Sequence, residues 1–247
     1  MLAKALPLEP VDAVVEDVRR GRVRFGILPF ETTSDGAVTA TLQALLHADV
    51  RITGELTLAA TYHLMSATGN ANDVEKVFGA TAAVAACEKQ LRRLHPSAAI
   101  VDSPSGVVAA ELAKEDHGAA VVGPDFLAKE FGLHVVHERI EDVAGVDIRF
   151  AVIGNDHPPR TGIDRTVLAV AVTDEPGALY RSLKSFADRS INLTRVESRP
   201  GRNTPWRYVF FLELDGHITD RVVLTAVEEL RSTSPLVKVL GSYPRPS

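Results

Sequence analysis

Two short strings carry the most specific chemistry in this sequence, Pro176-Gly177-Ala178-Leu179 and Glu197-Ser198-Arg199-Pro200. A glycine just before a helix start lets backbone N–H groups approach a ligand carboxylate, and the helix dipole favours an anion there. Alone, Pro176-Gly177 reads as a tight turn; followed by the E-S-R-P string, it reads better as part of a ligand site. Arg149 offers a guanidinium that can hold a carboxylate through two parallel hydrogen bonds. A buried salt bridge to Glu141 or Asp142 is the equal alternative. Glu31 can orient a substrate or cap a helix beginning near Ser34, with capping the favoured reading. Asp102 and Ser103 precede a helix, so capping competes there with carboxylate binding. His63 reads as a structural hydrogen-bonder, and His134 and His137 lack the company of a metal site.

The elements that must position these groups show in the apolar periodicity. Residues 166–172 (T-V-L-A-V-A-V) form a β-branched run, and Leu179, Leu183 and Phe186 recur on one helix face behind a cap at Asp174 or Thr173. Residues 192–196 and 208–214 read as strands flanking the polar 200–205 loop, with Trp206 packing nearby. Asp220 caps a helix facing inward through Val223, Val227 and Leu230, and 237–240 is a last strand. The order β-α-β-β-α-β is ferredoxin-like. Upstream, strands and helices alternate. Helices are expected at 11–21, 38–46, 80–94 (Val84, Cys87 and Leu91 inward) and 106–114, and strands at 25–30, 50–58, 98–101, 119–122, 133–136 and 150–154. Such alternation argues an α/β sheet with parallel strands.

Composition narrows the function classes. The chain has 247 residues, 45% of them hydrophobic, and a net charge of −5, with no basic stripe for nucleic acid or a membrane face. The lone Cys87 excludes an intramolecular disulfide and fits a reducing cytosol. No apolar run approaches the roughly 20 residues of a membrane span. A cytoplasmic protein is expected. The stretch N-D-H-P-P-R-T-G-I-D-R (155–165) reads as a linker between domains at 1–155 and 165–247.

From about Val14 to Leu240 the motif order resembles the prephenate dehydratase family. Gly26 to Val38 is similar to G-x-x-P-x-E-N-S-x-x-G-x-V, Tyr62-His63-Leu64 to H-x-L, and Val101-Asp102-Ser103 to the D-S-T segment. Phe131-Gly132-Leu133 is similar to Y-G-L, and the two C-terminal strings resemble the phenylalanine-sensing ACT domain. The resemblance implies a two-lobed, periplasmic-binding-protein-like α/β domain followed by an ACT domain. It also implies a cytoplasmic enzyme that converts prephenate to phenylpyruvate, carbon dioxide and water, with L-phenylalanine as effector. No cofactor or metal is implied, and assembly is as a homodimer or homotetramer, with 208–214 contributing to the contact. The effector residues would be Pro176, Gly177, Ala178, Leu179, Asn192, Glu197, Ser198, Arg199 and Pro200.

Several family positions differ here. The first strand and its glycine-rich loop have no counterpart, which is expected to leave unpaired backbone and exposed apolar surface; 7–10 would be a strand remnant, and a start placed too far downstream is the favoured explanation. E-N-S reads Glu31-Thr32-Thr33, S-H-P-Q-A-L reads Gly79 to Val84, and T-R-F reads Ile148-Arg149-Phe150. The family threonine is thought to donate a proton to the departing hydroxide, and isoleucine has no O–H. Thr32, Thr33, Ser103 and Ser105 are the hydroxyls available to replace it, beside Arg149 and Glu31 as substrate-binding groups. The alternatives are a non-aromatising prephenate decarboxylase and a catalytically silent amino-acid sensor.

Overall fold

The computed structural model describes residues 8, 10–201 and 208–246. Trp206 and most of the 200–205 loop lie outside the described residues, as do Pro7 and Glu9 of the expected strand remnant. The elements in chain order are α1 (Val11–Arg19), β1 (Phe25–Thr32), β2 (Gly36–Ala37), α2 (Thr39–His47), β3 (Arg51–Ala59), β4 (His63–Ser66), β5 (Lys76–Ala80), α3 (Thr81–Leu94), β6 (Ala99–Ser103) and α4 (Gly106–Glu115). There follow β7 (Ala119–Gly123), α5 (Phe126–Phe131), β8 (His134–His137), β9 (Asp147–Gly154), β10 (Asp164–Ala171), α6 (Ala178–Ala187), β11 (Leu193–Pro200), β12 (Tyr208–Asp215), α7 (Arg221–Thr233) and β13 (Leu236–Pro244).

These elements form two compact units. One combines residues up to Thr57 with those from Ile148 onward; the other is Leu58–Asp147. The first holds an eight-stranded sheet ordered β11-β12-β10-β13-β3-β9-β1-β2, and the second a five-stranded sheet ordered β6-β5-β7-β4-β8. The expected parallel sheet is corrected to a mixed one. Parallel pairing joins β5 to β6 and β7, and β13 to β3 at one position, while β1, β4 and β10–β12 pair antiparallel. β9 re-enters the first sheet after an excursion of some ninety residues and runs against β1. No βαβ crossover constrains such a return to be parallel.

In the first unit, α1 turns Val15 and Val18 inward onto Leu28 and Phe30 of β1, and Gly21 ends the helix region at φ +68°. That core continues into Val167, Ala169, Phe211 and Tyr243, so residues from both chain ends share it. The seam between the halves is tight at Gly241, paired with Ile52, where a Cβ would collide with the Ile52 backbone. The four C-terminal strands with α6 and α7 have the expected βαββαβ order, and Leu168, Phe186, Leu212, Val227 and Leu230 fill the space beneath the helices.

The outer edge of β1 is open. β2 pairs only with Glu31 and Thr32, and no strand covers Phe25–Pro29 among the described residues. Phe25 and Ile27 are 44% and 57% exposed. A cavity of about 1040 Å³ borders this edge, walled by Leu8, Pro10 and Val14 as well as Ile27, Leu28 and Pro29. Such an edge leaves backbone N–H and C=O groups of β1 free to pair with a further strand.

Candidate functional site

Register brings two family motifs into direct contact. Across β1 and β9, Glu31 lies opposite Arg149 and Thr32 opposite Ile148. Directly opposed residues place their Cβ atoms roughly 5 Å apart, so Ile148 adjoins the hydroxyl-bearing side chain at 32. Thr32 Oγ1 accepts from the Asp35 N–H at 2.9 Å and lies 3.2 Å from Ser34 Oγ, which fixes the turn that follows β1. Thr32, not Glu31, therefore closes that turn, and the next helix begins at Thr39 with Val38 before it. The expected cap by Glu31 is thus corrected. Thr33 lies in the same turn and is exposed.

Glu31 instead belongs to a buried ion network. Arg149 Nη1 donates to Glu213 Oε2 at 2.8 Å and Glu55 Oε2 at 3.2 Å; its Nη2 donates to Glu213 Oε1 at 2.7 Å and Glu31 Oε2 at 2.5 Å. The salt bridge expected to Glu141 or Asp142 is replaced by these three carboxylates. Arg165 Nη1 holds both oxygens of Glu55 at 2.6 and 2.7 Å, and Tyr243 Oη donates to Glu55 at 3.1 Å. Arg195 reaches Glu31 at 3.3 Å and Glu213 at 3.1 Å. Seven of the eight strands thus contribute one side chain each, and three guanidinium groups balance three carboxylates. Phe30 lies under two of the cations, 5.1 Å from Arg149 Cζ and 5.4 Å from Arg195 Cζ.

Burial sets the electrostatics. The Glu213 side chain is 3% exposed. Burial alone would raise its carboxyl, but the hydrogen bond and charge of Arg149, then the charges of Arg195 and Arg165, hold it below the ordinary carboxylate value. Arg149 is pushed above its ordinary value by Glu213, Glu31 and Glu55 against the opposing effect of burial. The Tyr243 phenol is raised well above its usual value, by burial first and by Glu55 second. Sequence reasoning missed Glu55, Arg165, Arg195, Glu213 and Tyr243. One signal was available: Glu213 sits inside the apolar run Y-V-F-F-L-E-L, and a charge there demands a partner.

The second constellation lies where β10 hands over to α6. Gly177 adopts φ +77° as the residue before α6, replacing the expected cap at Asp174 or Thr173. Arg181 braces the turn, donating to the Pro176 carbonyl at 3.0 Å and to Glu175 at 3.3 Å. A cavity of about 270 Å³ opens there, lined by Val172, Glu175, Gly177, Leu179, Tyr208 and Phe210 among others. Ala178, buried at 7%, also lines it. Ser198 and Pro200 lie beside it by register, opposite Phe210 and Tyr208. Glu197 and Arg199 alternate onto the other face, where they pair at 2.9 Å, and Arg199 donates to the Ala37 carbonyl at 3.3 Å. Asn192 is at the far end of the sheet, bonded to Asp215 at 2.9 Å, and takes no part in this cavity. The expectation that 208–214 offers a contact surface is corrected for most of its length: 209 and 211–214 are buried within the unit.

The second unit holds Ser103, at the end of β6 opposite Ala80 and 7% exposed. Neither Asp102 nor Ser103 caps α4; Ser105 Oγ accepts from the Val108 N–H at 3.3 Å. Glu141 accepts from the Tyr62 N–H at 3.2 Å, and Asp142 from the N–H groups of Lys89 and Gln90 at 3.0 and 2.9 Å. Asp142 is spent on backbone, and Glu141 on backbone and on Arg139 at 3.4 Å. Among the described residues no cluster of His, Cys, Asp or Glu could hold a metal, and no helix is long and apolar enough to cross a membrane.

Mixed sheets, a divided chain and a ferredoxin-like segment with a cavity at its first helix define a two-part α/β protein. Comparison with known proteins makes the assignment specific. A family model for prephenate dehydratase matches residues 2–158. The bifunctional chorismate mutase/prephenate dehydratase of Aquifex aeolicus (strain VF5) is 38% identical over 239 residues, covering 97% of this chain and 66% of that protein. This chain therefore spans just under two thirds of that relative. The prephenate dehydratase of Mycobacterium sp. (strain JLS) is 33% identical over 242 residues, covering 97% of this chain and 77% of its own length. The crystal structure of prephenate dehydratase from Arthrobacter aurescens in complex with L-Phe aligns with TM-score 0.86 at 33% identity, over 97% of this chain and 81% of that one. The chain belongs to the prephenate dehydratase family.

Proposed function

We propose that this protein converts prephenate to phenylpyruvate, carbon dioxide and water, with Thr32 as the proton donor that stands in for the family threonine. The observation that carries the reading is the pairing of Thr32 with Ile148 and of Glu31 with Arg149. Electrons of the departing carboxylate's C–C bond enter the ring as the C–O bond breaks. The hydroxide leaving group takes the Thr32 proton and departs as water, and solvent reprotonates the side chain. Such a donor contributes about 10²–10⁴-fold. Arg149 would hold a substrate carboxylate, with Glu31 orienting it, and Thr33 is the reserve hydroxyl in the same turn. L-phenylalanine is the effector at the 172–180 cavity, supported by the L-Phe named with the Arthrobacter aurescens relative. Ser198 and Pro200, which lie beside the cavity by register, would complete that site across a homodimer or homotetramer in the cytosol.

The test is a product-resolved assay of purified protein with prephenate at neutral pH, against a control without protein. Phenylpyruvate above control is expected, falling about 100-fold in Thr32→Val. Phenylpyruvate at control level overturns the reading; a decarboxylated but non-aromatic product would make the protein a decarboxylase, and no product at all a silent sensor. For the effector, phenylalanine at a hundredfold excess over Kd should stabilise the fold by about 2.7 kcal/mol, and an unmoved thermal midpoint removes it.

A further inference from the structure

We propose that Glu213 is the positioning residue that ties Arg149 to the cavity at the head of α6, so that a ligand seated there sets whether the guanidinium is held or released. The inference rests on the function proposed above for the identity of that ligand, and adds how its binding reaches the reacting corner.

One strand carries both ends of the connection. Tyr208 and Phe210 of β12 line the cavity, and Glu213 stands three residues beyond Phe210 on that strand, about 10 Å along it at roughly 3.3 Å per residue. β12 is hydrogen-bonded on both sides, to β10 and to β11. A strand so held moves as a unit, and rigid elements of this kind carry coupling. Glu213 in turn takes both terminal nitrogens of Arg149, at 2.8 and 2.7 Å, while Glu31 and Glu55 take the remaining contacts of those nitrogens. An arginine with both terminal nitrogens so occupied has no second pair of donors there for a substrate carboxylate. The structure therefore shows Arg149 in its held state.

Release requires a second home for the Glu213 carboxylate, because a bare buried charge is costly. The network supplies one. Arg195 Nη2 and Arg165 Nε are buried without hydrogen-bond partners among the described residues. Arg195 already reaches Glu213 through Nη1 at 3.1 Å, and Arg165 Nε stands 3.6 Å from it. A small shift of β12 can exchange Arg149 for these two donors without stranding a charge. Two discrete arrangements of one polar cluster, biased by one strand, make a two-state element.

Hydrogen exchange on the intact protein tests this, with L-phenylalanine as the probe. In wild type, phenylalanine should protect 172–180 and change exchange across 147–154, the β9 segment bearing Arg149, by at least threefold. Glu213→Gln should keep the first response and lose the second. In steady state the same variant should lower the KM for prephenate with kcat little changed, and raise the phenylalanine concentration needed for half-inhibition at least tenfold. A purely structural glutamate would instead lose activity with its phenylalanine response, at 172–180 and at β9 alike, intact. Equal β9 responses in the two proteins overturn the inference. So does a silent β9 in wild type while 172–180 is protected, a result that decides even if Glu213→Gln fails to fold. Unprotected 172–180 removes effector and inference together. Absence of phenylpyruvate overturns only the activity, since the exchange measurement needs no turnover.

Discussion

Ile148 meets Thr32 side by side on neighbouring strands, so the hydroxyl that one motif lacks is adjacent in the other. If Thr32 does the proton transfer from a neighbouring position, its geometry is a compromise, and a hydroxyl at 148 should do better. Ile148→Thr is expected to raise kcat at least about tenfold, within the range a positioned donor contributes; an unchanged or lower kcat in a folded variant would mean that 148 does not face the reacting bond. Glu213 gives a second residue-scale prediction, in pH. Its carboxyl lies below the ordinary value of 4.5 in the folded protein. The folded state therefore binds fewer protons than the unfolded chain, and the pair's stabilisation is complete above the unfolded value and lost as pH falls through the lowered one. At neutral pH Glu213→Gln should cost about 3–5 kcal/mol, as breaking a buried ion pair does. Thermal melts from pH 7 to pH 3 should show wild type and variant converging; a gap that stays constant would refute the assignment. Neither residue's neighbour could be read from sequence. Alternation says which face a side chain takes, but partners 64 and 118 residues away, such as Glu213 and Glu31 around Arg149, depend on strand order.

The elements themselves were largely legible, and their ends were not. The α3 helix is expected at 80–94 with Val84, Cys87 and Leu91 inward; it runs Thr81–Leu94, with Cys87 and Leu91 buried and Val84 half-buried against the same core. The caps fall elsewhere than expected: α6 starts behind a left-handed glycine instead of Asp174 or Thr173, and α4 behind the side-chain cap of Ser105 instead of Asp102 or Ser103. Short strands such as β4 and β5 and the six-residue α5 were not resolved because a few residues do not establish a period. Two element-scale outcomes follow. Gly177→Ala forces a Cβ into φ +77° and should lower stability by about 1–2 kcal/mol and weaken phenylalanine binding, measured by calorimetric titration; undiminished affinity would show that the turn does not shape the cavity. Lys238 of β13 reaches the C-terminal end of α2, donating to the carbonyls of Leu45 and Leu46 at 3.0 Å and Ala48 at 2.6 Å. These are the orphan acceptors of a helix end. Lys238→Met should cost about 1–3 kcal/mol in urea denaturation, and a neutral substitution would mean that solvent satisfies those carbonyls equally well.

At the scale of the whole molecule, the linker at 155–165 was visible as composition, and residues between Gly154 and Asp164 do lie outside helices and strands. What composition could not show is that the segment after the linker shares a compact unit with the first 57 residues. The reason lies in interior chemistry. Arg149, Glu31 and Glu55 come from one side of the linker, Arg165, Arg195, Glu213 and Tyr243 from the other. The apolar core is divided the same way, with Val15, Leu28 and Phe30 packed in one cluster with Val167, Phe211 and Tyr243. A fragment ending at residue 158, the limit of the matched family model, would leave two carboxylates, buried Glu55 and half-buried Glu31, facing one arginine and uncover that apolar face. It should show no cooperative thermal transition for this unit and should associate through exposed apolar surface. Gly241→Val is the gentler version of the same cut, since any Cβ there collides with Ile52; it should open the β13–β3 seam while each half retains its helices by circular dichroism. A fragment that melts cooperatively within a few degrees of the full chain would mean that the ion network and shared core are contacts between independently stable domains. Phenylalanine would then have to act on Arg149 by some path other than a common fold.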